Sequence, residues 1–113
     1  MACVLKTDYA VAAGEIFLTI IIGDAQIGAS YVSINGEKIA AGQIKNQKIG
    51  DGAELKTKTL LVKTIVSDVN NKTNRTSITY QLNGGVKDCT YGLEATVANE
   101  GDSINYEAEF KFI

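Results

Sequence analysis

A two-residue rhythm dominates the stretch from Thr57 to Leu82. Leu60-Leu61-Val62-Lys63-Thr64-Ile65-Val66 is apolar and β-branched, and further on Ile78, Tyr80 and Leu82 alternate with Ser77, Thr79 and Gln81. Successive side chains of a strand point to opposite faces, so this alternation specifies strands with one face buried. Joined by the polar interval Ser67 to Arg75, the two arms are expected to form one long β-hairpin with a polar tip. The last strand repeats the rhythm, with Ile104, Tyr106, Ala108, Phe110 and Phe112 against Glu107, Glu109 and Lys111.

The rest of the chain adds strands of the same kind. Glu15 to Ile22 places Ile16, Leu18, Ile20 and Ile22 on one face and Phe17, Thr19 and Ile21 on the other. A strand apolar on both faces is either covered twice or offers one face to a partner, which makes Phe17 and Ile21 candidate contact residues. Ile27 to Ile34 runs into Asn35-Gly36, a pair that tolerates positive φ and is the strongest hairpin signal present, so Glu37 to Ala41 should pair back. Gly42 to Lys56 holds three glycines and reads as a long irregular connection. Asn83-Gly84-Gly85 marks another reversal, and Tyr91, Leu93, Ala95 and Val97 share a face beyond it. Val4 and Tyr9 suggest a short edge strand within Ala2 to Ala13. The sum is about seven strands and no amphipathic helix of ten residues, which predicts an antiparallel β-sandwich, immunoglobulin-like or a related Greek-key type. At 113 residues the chain fits a single domain over 1–113.

Composition narrows function by exclusion. There is no His, Pro or Trp. Without His the commonest general base and the commonest metal ligand are both missing, and Cys3 and Cys89 alone cannot supply a four-ligand zinc site. Glu107 and Glu109 share an outward strand face at a spacing that fits a carboxylate pair, but a flat solvated face would not exclude water. No enzyme and no cofactor are expected. Calcium would suit the oxygen-rich clusters Asn99, Glu100, Asp102, Asn105 and Asp68, Asn70, Asn71. Neither follows the spacing of a helix-loop-helix calcium loop, and turn chemistry accounts for both, so no metal ligand is assigned. Asn99 to Tyr106 is similar in placement to the acidic loop before the last strand of small bacterial calcium-dependent sugar-binding lectins. With Glu100 and Asp102 as its only acids, the segment departs from that family's acid-rich pattern, which leaves a lectin-like metal site in doubt.

Charge is uneven although the net value is −2. Residues 37–87 carry nine basic residues against four carboxylates, whereas residues 88–113 carry six carboxylates against Lys111. The basic stretch has no aromatic residue between Gly36 and Tyr80 on which bases could stack, so no nucleic-acid partner is expected. The longest apolar run, Ile16 to Ile22, is far short of the roughly 20 residues of a membrane-spanning helix. No membrane insertion is expected, and the first residues lack a secretory signal's basic and apolar regions, which predicts a cytoplasmic protein. The expectation is a non-enzymatic binding or assembly module that self-associates as a homo-oligomer through a strand face or sheet edge. Contact should involve Phe17 and Ile21, with Asn70, Asn71, Asn74 and Arg75 of the polar interval as a second surface. The alternative is a carbohydrate-binding module or small lectin, calcium-assisted.

Overall fold

The most regular alternation in the chain becomes a central strand. In the computed structural model, which describes residues 2–113, the elements are β1 (Ala2–Tyr9), β2 (Glu15–Ile22), β3 (Ile27–Ile34), β4 (Glu37–Gly42), β5 (Gln47–Asp51), a one-turn helix α1 (Gly52–Leu55), β6 (Thr59–Ser67), β7 (Arg75–Asn83), β8 (Cys89–Thr96) and β9 (Ser103–Phe112). Five strands form sheet A in the order β1-β9-β6-β3-β4, and four form sheet B in the order β5-β2-β7-β8. The two sheets make the expected β-sandwich. Every pair is antiparallel except β1 with β9.

Inward residues of both sheets build one core. Ile104, Tyr106, Ala108, Phe110 and Phe112 of β9 are all buried, as are Leu60, Val62 and Val66 of β6, Ile16 and Leu18 of β2, and Ile78, Tyr80 and Leu82 of β7. Phe110 sits among aromatic rings from sheet B, with its centroid 5.8 Å from Tyr80 and 5.2 Å from Tyr91. Tilted and edge-on contacts of this kind are favourable beyond the area they bury. Tyr106 and Thr76 join the sheets by a polar contact. The Thr76 hydroxyl donates to the Ala95 carbonyl, so the Tyr106 hydroxyl, 2.6 Å away, donates to Thr76 Oγ1. Burial pushes the Tyr106 and Tyr80 phenols up, and Tyr91 is pushed up to about 12 by burial and by its contact with Cys89.

Three sequence expectations are corrected. β6 and β7 do not form a hairpin: β6 lies between β9 and β3 in sheet A, and β7 lies between β2 and β8 in sheet B. Their connection is therefore an arch from one sheet to the other. The stretch Gly42 to Lys56 is not irregular, since it contains β5 and α1, the latter begun by Asp51, whose side chain accepts from the Ala53 amide at 2.9 Å. With β1 as a full eight-residue strand, the count is nine strands rather than seven. The Asn35-Gly36 turn forms as expected, at φ 47° and 85°, and joins β3 to β4. Asn35 also fastens the turn to sheet A, its amide donating to the Thr59 carbonyl and its side chain accepting from the Thr59 amide.

Candidate interaction surfaces

Three of the connections that pass between the sheets cross at the same end of the sandwich. The chain passes from β2 to β3 at Gly23–Gln26, from β6 to β7 at residues 68–74, and from β8 to β9 at residues 97–102. Gln26 is the buried knot of this end. Its amide nitrogen donates to the carbonyls of Thr73 and Arg75, at 3.3 and 3.0 Å, and its oxygen accepts from the amides of Val69 and Asn70, at 2.7 and 2.9 Å. One side chain thus satisfies four backbone groups that the arch takes out of the strand ladders.

This corner receives the residues of the expected polar tip. Asn70 donates from its side chain to the Asp24 carbonyl and accepts from the Lys72 amide. Arg75 reaches Asp24 at 3.5 Å and donates to Glu94, linking the first arch to β8. Asn74 is half-buried, its carbonyl accepting from the Val97 amide at 2.9 Å, while Asn71 is exposed. The two oxygen-rich clusters of the sequence meet here as well, since the Asp68 amide donates to the Asp102 carbonyl and the Gly101 amide to the Asp68 carbonyl. Both carboxylate oxygens of Asp68 are buried without a hydrogen-bond partner. Among the described residues, no three carboxylates or thiols converge on a point that could hold a metal ion.

The outer face of sheet A carries an apolar patch. Ile27 is 59% exposed, Ile65 57%, Val4 52% and Tyr31 43%. The register explains their clustering. Tyr31 lies opposite both Ala41 and Lys63, Lys63 opposite Glu107, and Glu107 opposite Val4, so one row crosses all five strands. The next row holds Ala29, Ile65 and Asn105. Between these rows lies a shallow hollow of about 630 Å³ lined by Tyr31, Lys63, Ile65, Asn105 and Glu107 among others. The Lys38 ammonium stands 5.9 Å from the centre of the Tyr31 ring. Glu109, two residues from Glu107, borders a separate hollow with Lys6, Asp8 and Lys111. Sequence reasoning missed this patch because Ile27 and Ile65 lie within apolar runs that read as core. The available signal was parity, since both alternate with the buried neighbours Ser30, Val32, Thr64 and Val66.

The outer face of sheet B is different. It presents Ser77, Thr79 and Gln81 of β7 and Thr90, Glu94 and Thr96 of β8. Phe17 and Ile21 do point outward here, Phe17 half-buried between the backbones of Lys48 and Asn83 and Ile21 exposed. They lie on the opposite face of the molecule from the patch on sheet A. Ile21 instead borders a lateral groove of about 670 Å³, shared with Ile20, Ile22, Ile27 and Ile44, where β4 and β5 stop short of β3 and β2.

Cys3 and Cys89 are free thiols. Cys3 pairs in register with Tyr106 at one end of β1, whereas the Tyr9 hydroxyl at the other end contacts the carbonyls of Leu82 and Lys87, next to Cys89. Six residues of strand separate the two ends, roughly 20 Å, and a disulfide needs Cα atoms within about 7 Å. Comparison with known proteins finds no matching family model, no matching curated protein and no matching solved structure.

Proposed function

We propose that this protein is a non-enzymatic assembly module that self-associates through sheet A. The observation that carries this reading is the gathering of Val4, Ile27, Tyr31 and Ile65, each more than two-fifths exposed, on one face of one sheet. Scattered apolar residues are ordinary on a protein surface, but Ile27, Tyr31 and Ile65 stand together on the adjacent strands β3 and β6, and a cluster of that kind supports a contact surface. Light scattering coupled to gel filtration at micromolar concentration tests it, with a mass of two chains or more as the expected result. A mass of one chain at every concentration removes the reading.

A second reading has its own observation in the hollow on the same face. The exposed Tyr31 ring stands within a strand or two of Asn105, Glu107 and Lys63, the combination of flat apolar surface and polar groups that suits a pyranose. Strands lie about 4.8 Å apart, so the row from Tyr31 to Glu107 spans roughly 10 Å, room for one or two sugar rings. A glycan array comparing the natural chain with Tyr31→Ala separates the readings. A signal on a defined glycan that the substitution removes favours the sugar.

A further inference from the structure

We infer that two copies of this chain pack sheet A on sheet A, about a two-fold axis that runs along the strands between β6 and β9 and passes between Lys63 and Glu107. The inference rests on the self-association reading and supplies its geometry. Lys63 and Glu107 lie opposite each other in the middle of the outer face, yet among the described residues neither joins an ion pair. The base is exposed and the acid half-buried. Both charges are left for a partner inside the apolar patch, with Tyr31 and Ile65 beside Lys63 and Val4 beside Glu107.

The order of residues along this row selects the axis. From β3 to β1 it reads Tyr31, Lys63, Glu107, Val4, which is aromatic, basic, acidic, aliphatic. Sheets that pack face to face keep their strand directions within about 30° of each other and stand about 10 Å apart. A two-fold axis along the strands therefore lays the row on its own reverse. Centred between β6 and β9, it sets Lys63 on the partner's Glu107, Glu107 on the partner's Lys63, Tyr31 on the partner's Val4 and Val4 on the partner's Tyr31. The four charges form a square in which every side joins opposite signs. One row toward the arches, Ile65 meets the partner's Asn105 and stands diagonally across the axis from the partner's Ile65. The hollow of about 630 Å³ beside Tyr31 gives the partner's Val4 room to enter. This is the self-complementarity that a two-fold interface requires.

Other axes leave the charges unmatched. Centred on β6, an axis along the strands sets Lys63 on the partner's Lys63, and centred on β9 it sets Glu107 on the partner's Glu107. Between β3 and β6 it buries Glu107 against the partner's Ala41. An axis across the strands at Ile65 joins the apolar residues but puts Lys63 on the partner's Ser67 and Glu107 on the partner's Ser103. A charge taken from water without a mate is costly, and like charges brought together repel, so Lys63 and Glu107 disfavour all of these arrangements. The apolar residues thus supply the attraction and the two charges choose the geometry. Because the same face serves both chains, the contact closes on itself and association stops at two.

Charge reversal tests the axis. Lys63→Glu sets two acids against each other at both contacts, and Glu107→Lys sets two bases. Each variant alone is expected to associate about tenfold more weakly than the natural chain or worse, given two contacts changed from attraction to repulsion. Mixed in equal amounts they restore both contacts, and light scattering should show a dimer of one Lys63→Glu chain with one Glu107→Lys chain. The double variant K63E/E107K should also dimerise. Circular dichroism checks that each variant stays folded. Should a reversal unfold the chain, Glu107→Gln carries the test with a milder change: it is expected to weaken association by about threefold or more, whereas an axis that leaves Glu107 without a mate predicts tighter association. Folded variants that keep the natural affinity, a mixture that stays monomeric, or a tighter Glu107→Gln dimer overturns the inference. If the reversals leave a dimer that Ile65→Ser dissolves, the axis is wrong and the self-association reading stands. A natural chain that is monomeric throughout removes both.

Discussion

The two outer faces of this sandwich are built on the same alternation and carry different residues. On sheet B the outward positions are mostly hydroxyls and amides, Ser77, Thr79, Gln81, Thr90 and Thr96, which water satisfies. On sheet A they are Ile27, Tyr31, Ile65 and Val4 with charges between them. The inward residues are mostly apolar in both sheets, so the core does not explain the contrast. Outward positions are largely free of the core's packing demands, so the contrast lies in the surface and not in the fold.

Four substitutions would break or sharpen this contrast. The largest effect belongs to the shared interior: Phe110→Ala removes a fully buried ring packed on Tyr80 and Tyr91, and should cost about 3–5 kcal/mol in a urea titration. Loss of both sheets in one transition is expected, since the ring belongs to neither alone. Next comes the arch corner. Gln26→Ala leaves two amides and two carbonyls without their partner, and should cost about 2–3 kcal/mol in the same titration, the sum being held down by water entering the corner. The smallest effects are at the surface and test the contrast directly. Ile65→Ser on sheet A and Thr79→Ser on sheet B should each change stability by less than about 0.5 kcal/mol. Gel filtration should nevertheless show weaker association for Ile65→Ser alone; equal behaviour of the two would erase the difference between the faces.

Much of the architecture was legible in the residues. The inward set of β9, the Asn35-Gly36 hairpin and the reversal at Asn83-Gly84-Gly85 follow from periodicity and turn chemistry that need no tertiary information. Gly84 shows why that reversal is so legible, since at φ 94° a side chain there would meet the Glu15 carbonyl oxygen at 2.0 Å. The pairing of β6 with β7 was misread because two alternating strands flanking a polar loop suit an arch as well as a hairpin. The distinguishing signal was present. Residues 68–74 contain no glycine, whereas the true hairpins turn on Asn35-Gly36 and Gly84-Gly85. Gln26 could not have been identified beforehand, because its four partners come together only when the arches stack. The same holds for the edge row of Lys6, Asp8, Glu109 and Lys111, whose members are about a hundred residues apart until β1 docks on β9.

That docking also governs when the molecule can form. β1 has β9 as its sole neighbour in sheet A, and β9 is made after the other eight strands. During synthesis the first strand must therefore wait, unzipped, while the sheet it belongs to has a gap one strand wide beside β6. Long-range closure of this kind is slow, on the order of milliseconds to seconds. A nascent chain released early would expose both the gap and the waiting strand, the two surfaces most apt to stick to another unfinished copy.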